Sequence, residues 1–238
     1  MDNAGYTALT RQAGLMQEMQ IIANNIANAS TTGFRAEGVM FAEHVKSLGP
    51  DMPSLSMAKA AVRDTIMLQG SLSQTGGTFD LAIEGEGFFL IETPNGQRLT
   101  RAGAFQPNAN GDLVTPDGYP VLDAGGAPVF VPQGAGAMGI SADGTISANG
   151  QPIGQVGLVR PIDPADLTRE GGVMFATAGG TEPIPDGRML QGFLEDSNVN
   201  PIAQISRMIE VQRSYELGQS FLDKEDERIR SVIDAIRR

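Results

Sequence analysis

IIANNIANASTTGFR, residues 21–35, decides how this chain folds. It is an apolar stripe at helical spacing that carries Asn24, Asn25 and Asn28 and then stops on Thr-Thr-Gly-Phe. Asparagine weakens a helix because its amide competes for the backbone's hydrogen bonds. Gly33 supplies the left-handed residue that ends a helix, and Phe34 can fold back on the last turn. Upstream, Leu9, Gln12, Met16, Met19, Ala23 and Ile26 alternate steps of three and four, the spacing of a helix wound against a partner. A helix from Ala4 to Thr32 is predicted, roughly 43 Å long at 1.5 Å per residue. Its asparagines read either as polar contacts that fix register in a crowded bundle or as residues exposed at a fraying end.

The far end of the chain repeats the pattern. Asn200 is a good N-cap, and Pro201 fits a first turn, where its missing N–H costs nothing. From there Ile205, Met208, Gln212, Tyr215, Gln219, Leu222, Asp226, Ile229, Ile233 and Ile236 step by three and four. Asp226 with Arg230 and Asp234 with Arg238 are favourable i, i+4 pairs. The predicted helix runs to Arg238, on the order of 55 Å.

Charge separates these ends from what lies between them. Residues 1–35 balance Arg11 and Arg35 against Asp2 and Glu18, and residues 199–238 carry seven basic and seven acidic side chains. Residues 36–198 hold the whole excess of the −11 net charge, 8 basic against 19 acidic, with 26 of the 30 glycines and 13 of the 14 prolines. Within this middle, 36–70 reads as a poorly patterned arm with VMFAEHV and MAKAAV as short ordered pieces. From Ser71 onward FDLAI, FFLIET, QRLTRAGAF, DLVT, PVFV and VGLV read as strands, separated by PNG, NANG, PDG, AGG, ADG and ANG turns. The predicted class is α+β. Long N- and C-terminal helices (1–35 with 196–238) pair as a coiled-coil-like inner domain. A connector (36–70) leads to a mainly antiparallel β domain (71–195) inserted between them. Apolar residues off the seams, such as Ile22, Ile202, Ile209 and Phe221, need neighbours beyond a two-helix hairpin, which points to a higher assembly.

Chemistry finds little support. There is no cysteine, so disulfides and thiolate metal sites are excluded. His44 is the one histidine and reads as a structural or solvated residue. GEGFF (85–89) places Leu90 where a dinucleotide fingerprint needs its third glycine, and no phosphate-loop motif occurs. Asp80, Glu84 and Glu86 share strand parity, so a continuous strand would set three carboxylates on one face, as a glycan hydrolase could use. Gly85 and Gly87 break such a strand, and the chain has no tryptophan to stack on sugars. Asn28-Ala29-Ser30 matches a glycosylation pattern by chance at a helix end. KEDERIR (224–230) reads as a solvated helix face. No catalytic, cofactor or metal residues are therefore assigned. The acidic balance argues against nucleic acid, and no apolar run approaches a membrane span. The N-terminus lacks the features of a cleaved secretory signal.

Four stretches together resemble the flagellar basal-body rod family. IIANNIANASTTGFR is similar to its N-terminal signature. GSLSQTGGTFDLAIEGEGFFLIET and LTRAGAFQPNANGDLVTPDGYPVL resemble its central block, and LQGFLEDSNVNPIAQISRMIEVQRSYE its C-terminal block. The start, the short length and the single β insertion are most similar to proximal-rod members; distal-rod and hook-type members are the alternatives. The resemblance implies a non-enzymatic subunit of the rod that crosses the periplasm. It would be exported without a cleaved signal by the flagellar type III apparatus and assembled with itself and with other proximal and distal rod subunits. The implied assembly residues are Leu9, Met16, Met19, Asn24, Asn25, Ile26, Asn28, Gly33 and Phe34 at one end. At the other they are Asn198, Asn200, Ile205, Met208, Gln212, Arg213, Tyr215 and Leu222.

Overall fold

A computed structural model describes residues 3–46, 55–132 and 134–237. The 47–54 part of the predicted arm lies outside the described residues, as does the side chain of His44. The fold is α+β, with one long helix at each end and a mainly antiparallel β domain between them. It divides into two compact units, one of 1–27, 36–66 and 199–238, the other of 28–35 and 67–198.

The first unit holds helix α1 (Asn3–Ala27), strands β1 (Glu37–Lys46) and β2 (Leu55–Thr65), and helix α2 (Pro201–Ile236). The segment read as a poorly patterned arm is a long antiparallel hairpin, registered from Glu37 opposite Thr65 to Lys46 opposite Leu55, with a bulge between Met40 and Phe41. Helix α1 packs along both β2 and α2. Helix α2 starts as its sequence dictates, with the Asn200 side chain accepting from the Ala203 N–H and Pro201 in the first turn. At about 1.5 Å per residue α1 is about 37 Å long and α2 about 54 Å.

Burial keeps Gln12, Met19, Ile26, Met208, Tyr215 and Leu222 of the predicted stripes on the less exposed faces and moves the positions between them. On α1 the buried positions are Gln12, Gly14, Glu18, Ile21, Ile22 and Asn25, while Leu9, Met16 and Ala23 are exposed. On α2 the least exposed positions are Gln204, Met208, Val211, Ser214, Tyr215, Gly218, Leu222 and Glu225, which apart from Ser214 step by fours and threes. Three polar pairs join the helices in antiparallel order: Gln12 Nε2 to Gln219 Oε1 at 3.2 Å, Arg207 Nε to Glu18 Oε1 at 2.7 Å, and Asn25 Nδ2 to Gln204 Oε1 at 3.3 Å. The physical reason for the shift is that side chains at the contact include Gln12, Glu18 and Asn25. A hydropathy pattern passes over polar residues, yet these bond across the interface.

The second unit is built on β3 (Leu72–Gln74), β4 (Leu81–Glu84), β5 (Phe88–Thr93), β6 (Gly96–Thr100) and later short strands. Strand β5 runs through the middle of the largest sheet, between β6 and the strand Leu158–Pro161. Its FFLI run is buried on both faces. Phe89 and Ile91 enter one core cluster with Leu81, Ile83 and Leu113, and Phe88 and Leu90 enter another with Leu99 and Phe175. Alternate side chains on a strand point to opposite faces, so a continuous apolar run marks a strand covered twice. Strand β3 pairs with Phe193–Glu195, and β4 with Arg188–Gln191.

Candidate assembly site

The turn that closes the opening motif is built from residues 28–35, within the second unit. The Thr31 N–H donates to the Asn28 carbonyl at 3.1 Å and the Phe34 N–H to the Thr31 carbonyl at 3.2 Å. Gly33 takes φ +69°, and its N–H donates to the Glu195 carbonyl at 2.7 Å. Phe34 is buried, with the Arg169 guanidinium 4.6 Å above its ring and 4.7 Å from that of Phe175. Such stacking adds cation–π attraction to packing. Asn198 completes the turn: its N–H donates to the Phe34 carbonyl at 3.3 Å and its amide to the Leu68 carbonyl at 2.8 Å.

Beneath this turn lies a buried charge cluster that sequence reading did not single out. The Glu195 carboxylate sits 2.7 Å from Arg35 Nη1 and 2.9 Å from Arg101 Nε, with all three side chains buried. Its Oε1 also accepts the Gly70 N–H at 2.9 Å. Arg101 donates to the Gly87 carbonyl at 2.8 Å and the Gly85 carbonyl at 2.7 Å, while Arg35 donates to the Leu68 carbonyl. Burial pulls the Arg101 guanidinium down to about 10, against the raising effect of Glu195, and lowers Arg35 in the same way. Arg101 is still charged at neutral pH, so two cations share one carboxylate. Each member lies inside a quoted motif (GFR, LTRAG, GFLED). The signal available was a charge set among apolar and glycine neighbours, which does not by itself say which partner it meets.

The three asparagines have separate roles. Asn25 is buried, and its amide grips the Glu37 backbone from both sides, donating to the carbonyl at 2.8 Å and accepting from the N–H at 2.9 Å. It thereby fixes the start of β1 on α1. Asn24 is exposed, and Asn28 accepts a 3.2 Å bond from the Thr31 hydroxyl. Replacing Asn25 with Ala removes two buried hydrogen bonds to the Glu37 backbone. The expected loss is on the order of 2–3 kcal/mol of unfolding free energy, read by urea denaturation.

The apolar candidates fall on both sides of the helical surface. Leu9, Met16 and Ile205 are about half exposed (54%, 48% and 50%), as is expected of a face left for neighbours. Met19, Ile26, Met208, Tyr215 and Leu222 are half-buried, and Gln212 and Arg213 are exposed. The last turns of α2 leave Ile229, Val232, Ile233 and Ile236 exposed. The acidic trio of FDLAIEGEG is not assembled as a site. Asp80 accepts from the Thr75 hydroxyl at 2.5 Å, Glu84 pairs with Arg188 across the strands at 3.5 Å, and Glu86 is exposed beyond β4. Among the described residues no helix is long and apolar enough to cross a membrane.

Comparison with known proteins agrees with this geometry. Residues 6–35 match a family model described as flagella basal body rod protein. Residues 82–148 match the flagellar hook protein FlgE/F/G D1 domain, and residues 190–235 the flagellar basal body rod FlgEFG protein C-terminal model. The flagellar basal-body rod protein FlgF of Caulobacter vibrioides is 39% identical, covering 99% of this chain and 98% of that protein. FlgF of Mesorhizobium japonicum is 41% identical over 91% of this chain and 90% of its own length. FlgG of Bacillus subtilis is 30% identical over 96% of this chain and 97% of its own. With both terminal blocks, the central block and near full-length relatives all in agreement, this chain belongs to the flagellar basal-body rod protein family.

Proposed function

We propose that the chain is a structural subunit of the bacterial flagellar rod, in its proximal part, where copies and related subunits form a helical tube that transmits torque. The observation that carries this reading is the pair of long terminal helices with apolar side chains left in water, from Leu9 and Met16 on α1 to Ile229–Ile236 on α2. A folded monomer gains nothing from such surface, whereas stacked neighbours bury it. The helices of 1–35 and 196–238 form the axial part as a coiled-coil-like pair, supported by the heptad run on α2 and the three antiparallel polar pairs. The acidic β domain faces outward. Contacts between copies are heterologous and non-closing, as an open filament requires.

The proximal assignment rests on three FlgF-named relatives at 39–41% identity; another FlgF-named relative is 32% identical, and those named FlgG are 30–32%. A distal-rod or hook-type subunit is the second reading. The chain would travel through the flagellar type III export apparatus without a cleaved signal and come to lie in the periplasm-spanning rod. Catalysis forms no part of the proposal; Asp80 and Glu84 are held by Thr75 and Arg188 rather than opposed across a cleft. Deleting residues 1–30 should abolish recovery of the protein in isolated basal bodies. Normal incorporation of the truncated chain would sink the assembly role given to α1.

A further inference from the structure

Four large apolar side chains stand exposed among the described residues of the β unit: Met67, Leu68, Phe130 and Ile162. Two of them meet at one place: Met67 and Leu68 line a cavity of about 390 Å³. Phe88 and Arg35 also line it, and another wall is the Gly85–Gly87 turn. Arg101 holds that turn by both carbonyls, so the cavity is formed before anything enters it. Beneath it two arginines share the single Glu195 carboxylate, while Arg160 at the mouth is paired with Glu182 at 2.6 Å. A buried surplus cation is screened by water far less than the exposed Glu86 on the rim.

Another of the four has the complementary character. Phe130 is 51% exposed and bridges Asp112 in antiparallel register, so the ring and the carboxylate rise on one side of the strands. A Cβ on Gly111 would come within 2.6 Å of the ring, which shows how closely the ring lies over that glycine. An aromatic ring beside a carboxylate thus stands on the same unit as an apolar, arginine-backed cavity.

We propose that Phe130 of one copy of this chain seats in the Met67–Leu68 cavity of a second copy, bringing Asp112 to the arginine side of its mouth. Knob and socket are different surfaces of one unit, so each copy can give one contact and receive another. That is a heterologous contact that propagates rather than closing into a pair. The inference rests on the rod-subunit reading only in requiring that copies meet side by side.

The chain has no cysteine, which makes the test clean. Cells assemble rods from Leu68→Cys, from Phe130→Cys, or from both variants together, and isolated basal bodies are oxidised gently and run without reducing agent. A disulfide-linked dimer of the chain is expected when both cysteines are present and should be lost with either variant alone. Basal bodies that contain both variants, with cysteines that react with maleimide but give no dimer, overturn this contact and leave the rod reading standing. So does capture of a different polypeptide through position 68. Absence of the wild-type chain from basal bodies would overturn the rod reading itself.

Discussion

Glu195→Gln is expected to lower the unfolding free energy by about 3–5 kcal/mol, the range for removing one partner from a buried ion pair. The carboxylate is the only acidic member of the cluster, and without it Arg35 and Arg101 face each other in a dry site with like charge. Removing Glu195 also takes away the interaction that opposes the burial-driven lowering of both guanidinium groups. The amide keeps the shape of the side chain, so the loss reports charge rather than a cavity. Urea unfolding followed by circular dichroism measures it, with Glu182→Gln as the reference. Glu182 pairs with Arg160 at 2.6 Å on the exposed surface, and losing that pair should cost less than about 1 kcal/mol. Equal effects from the two substitutions would mean that the buried cluster contributes nothing particular. Because total stability for a domain is only about 5–15 kcal/mol, the Glu195 variant should also be scarce in assembled rods.

Gly33→Ala should be as damaging through the backbone instead of charge. The residue sits at φ +69°, which costs an L-residue roughly 1–2 kcal/mol before any contact is counted. The added methyl would lie 2.3 Å from the Ala102 backbone nitrogen and 2.4 Å from the Arg101 carbonyl carbon, and backbone cannot swing aside as a side chain can. Relief requires the turn to lift away, which breaks the Gly33 N–H bond to Glu195 and draws Arg35 from the cluster. Loss of several kcal/mol and failure to assemble are expected, again on the scale of the removed buried pair. Gly76→Ala is the control for φ alone: it has φ +73° and nothing within 4 Å of its Cβ. If both glycine variants unfold at the same urea concentration, close approach at Gly33 plays no part.

How much of this could be read beforehand depends on the range over which each feature is encoded. Helix α2 was legible because its signals are local: Asn200 caps, Pro201 opens, and a three-four rhythm follows. The β domain was legible from its turn glycines and from FFLIET, whose unbroken apolar run fits a strand covered on both faces. The 36–66 hairpin was not, since MAKAAVRD is rich in alanine and charge, a composition that favours helix as readily as strand. Long pairing from Glu37–Thr65 to Lys46–Leu55 is a tertiary outcome. The helix faces were half legible. Periodicity gives the rhythm but only part of the phase, and Gly14, Glu18 and Asn25 are invisible to a hydropathy stripe while occupying the buried side of α1. The Arg35–Arg101–Glu195 cluster joins residues far apart along the chain, so no window of sequence contains it.

The division into two units has a consequence for how the chain is threaded. Residues 28–35 and 67–198 make one unit and the remaining segments the other, so the backbone passes from one to the other after residues 27, 35, 66 and 198. A simple insertion has two such passages. Here the chain makes four such passages. The short run that closes the opening motif supplies two of them within eight residues. Asn25 clamps the helix just ahead of that run to the first residue after Ala36. The odd stretch at the end of α1 is thus where the chain leaves the helical unit and re-enters it, with one asparagine joining the two points.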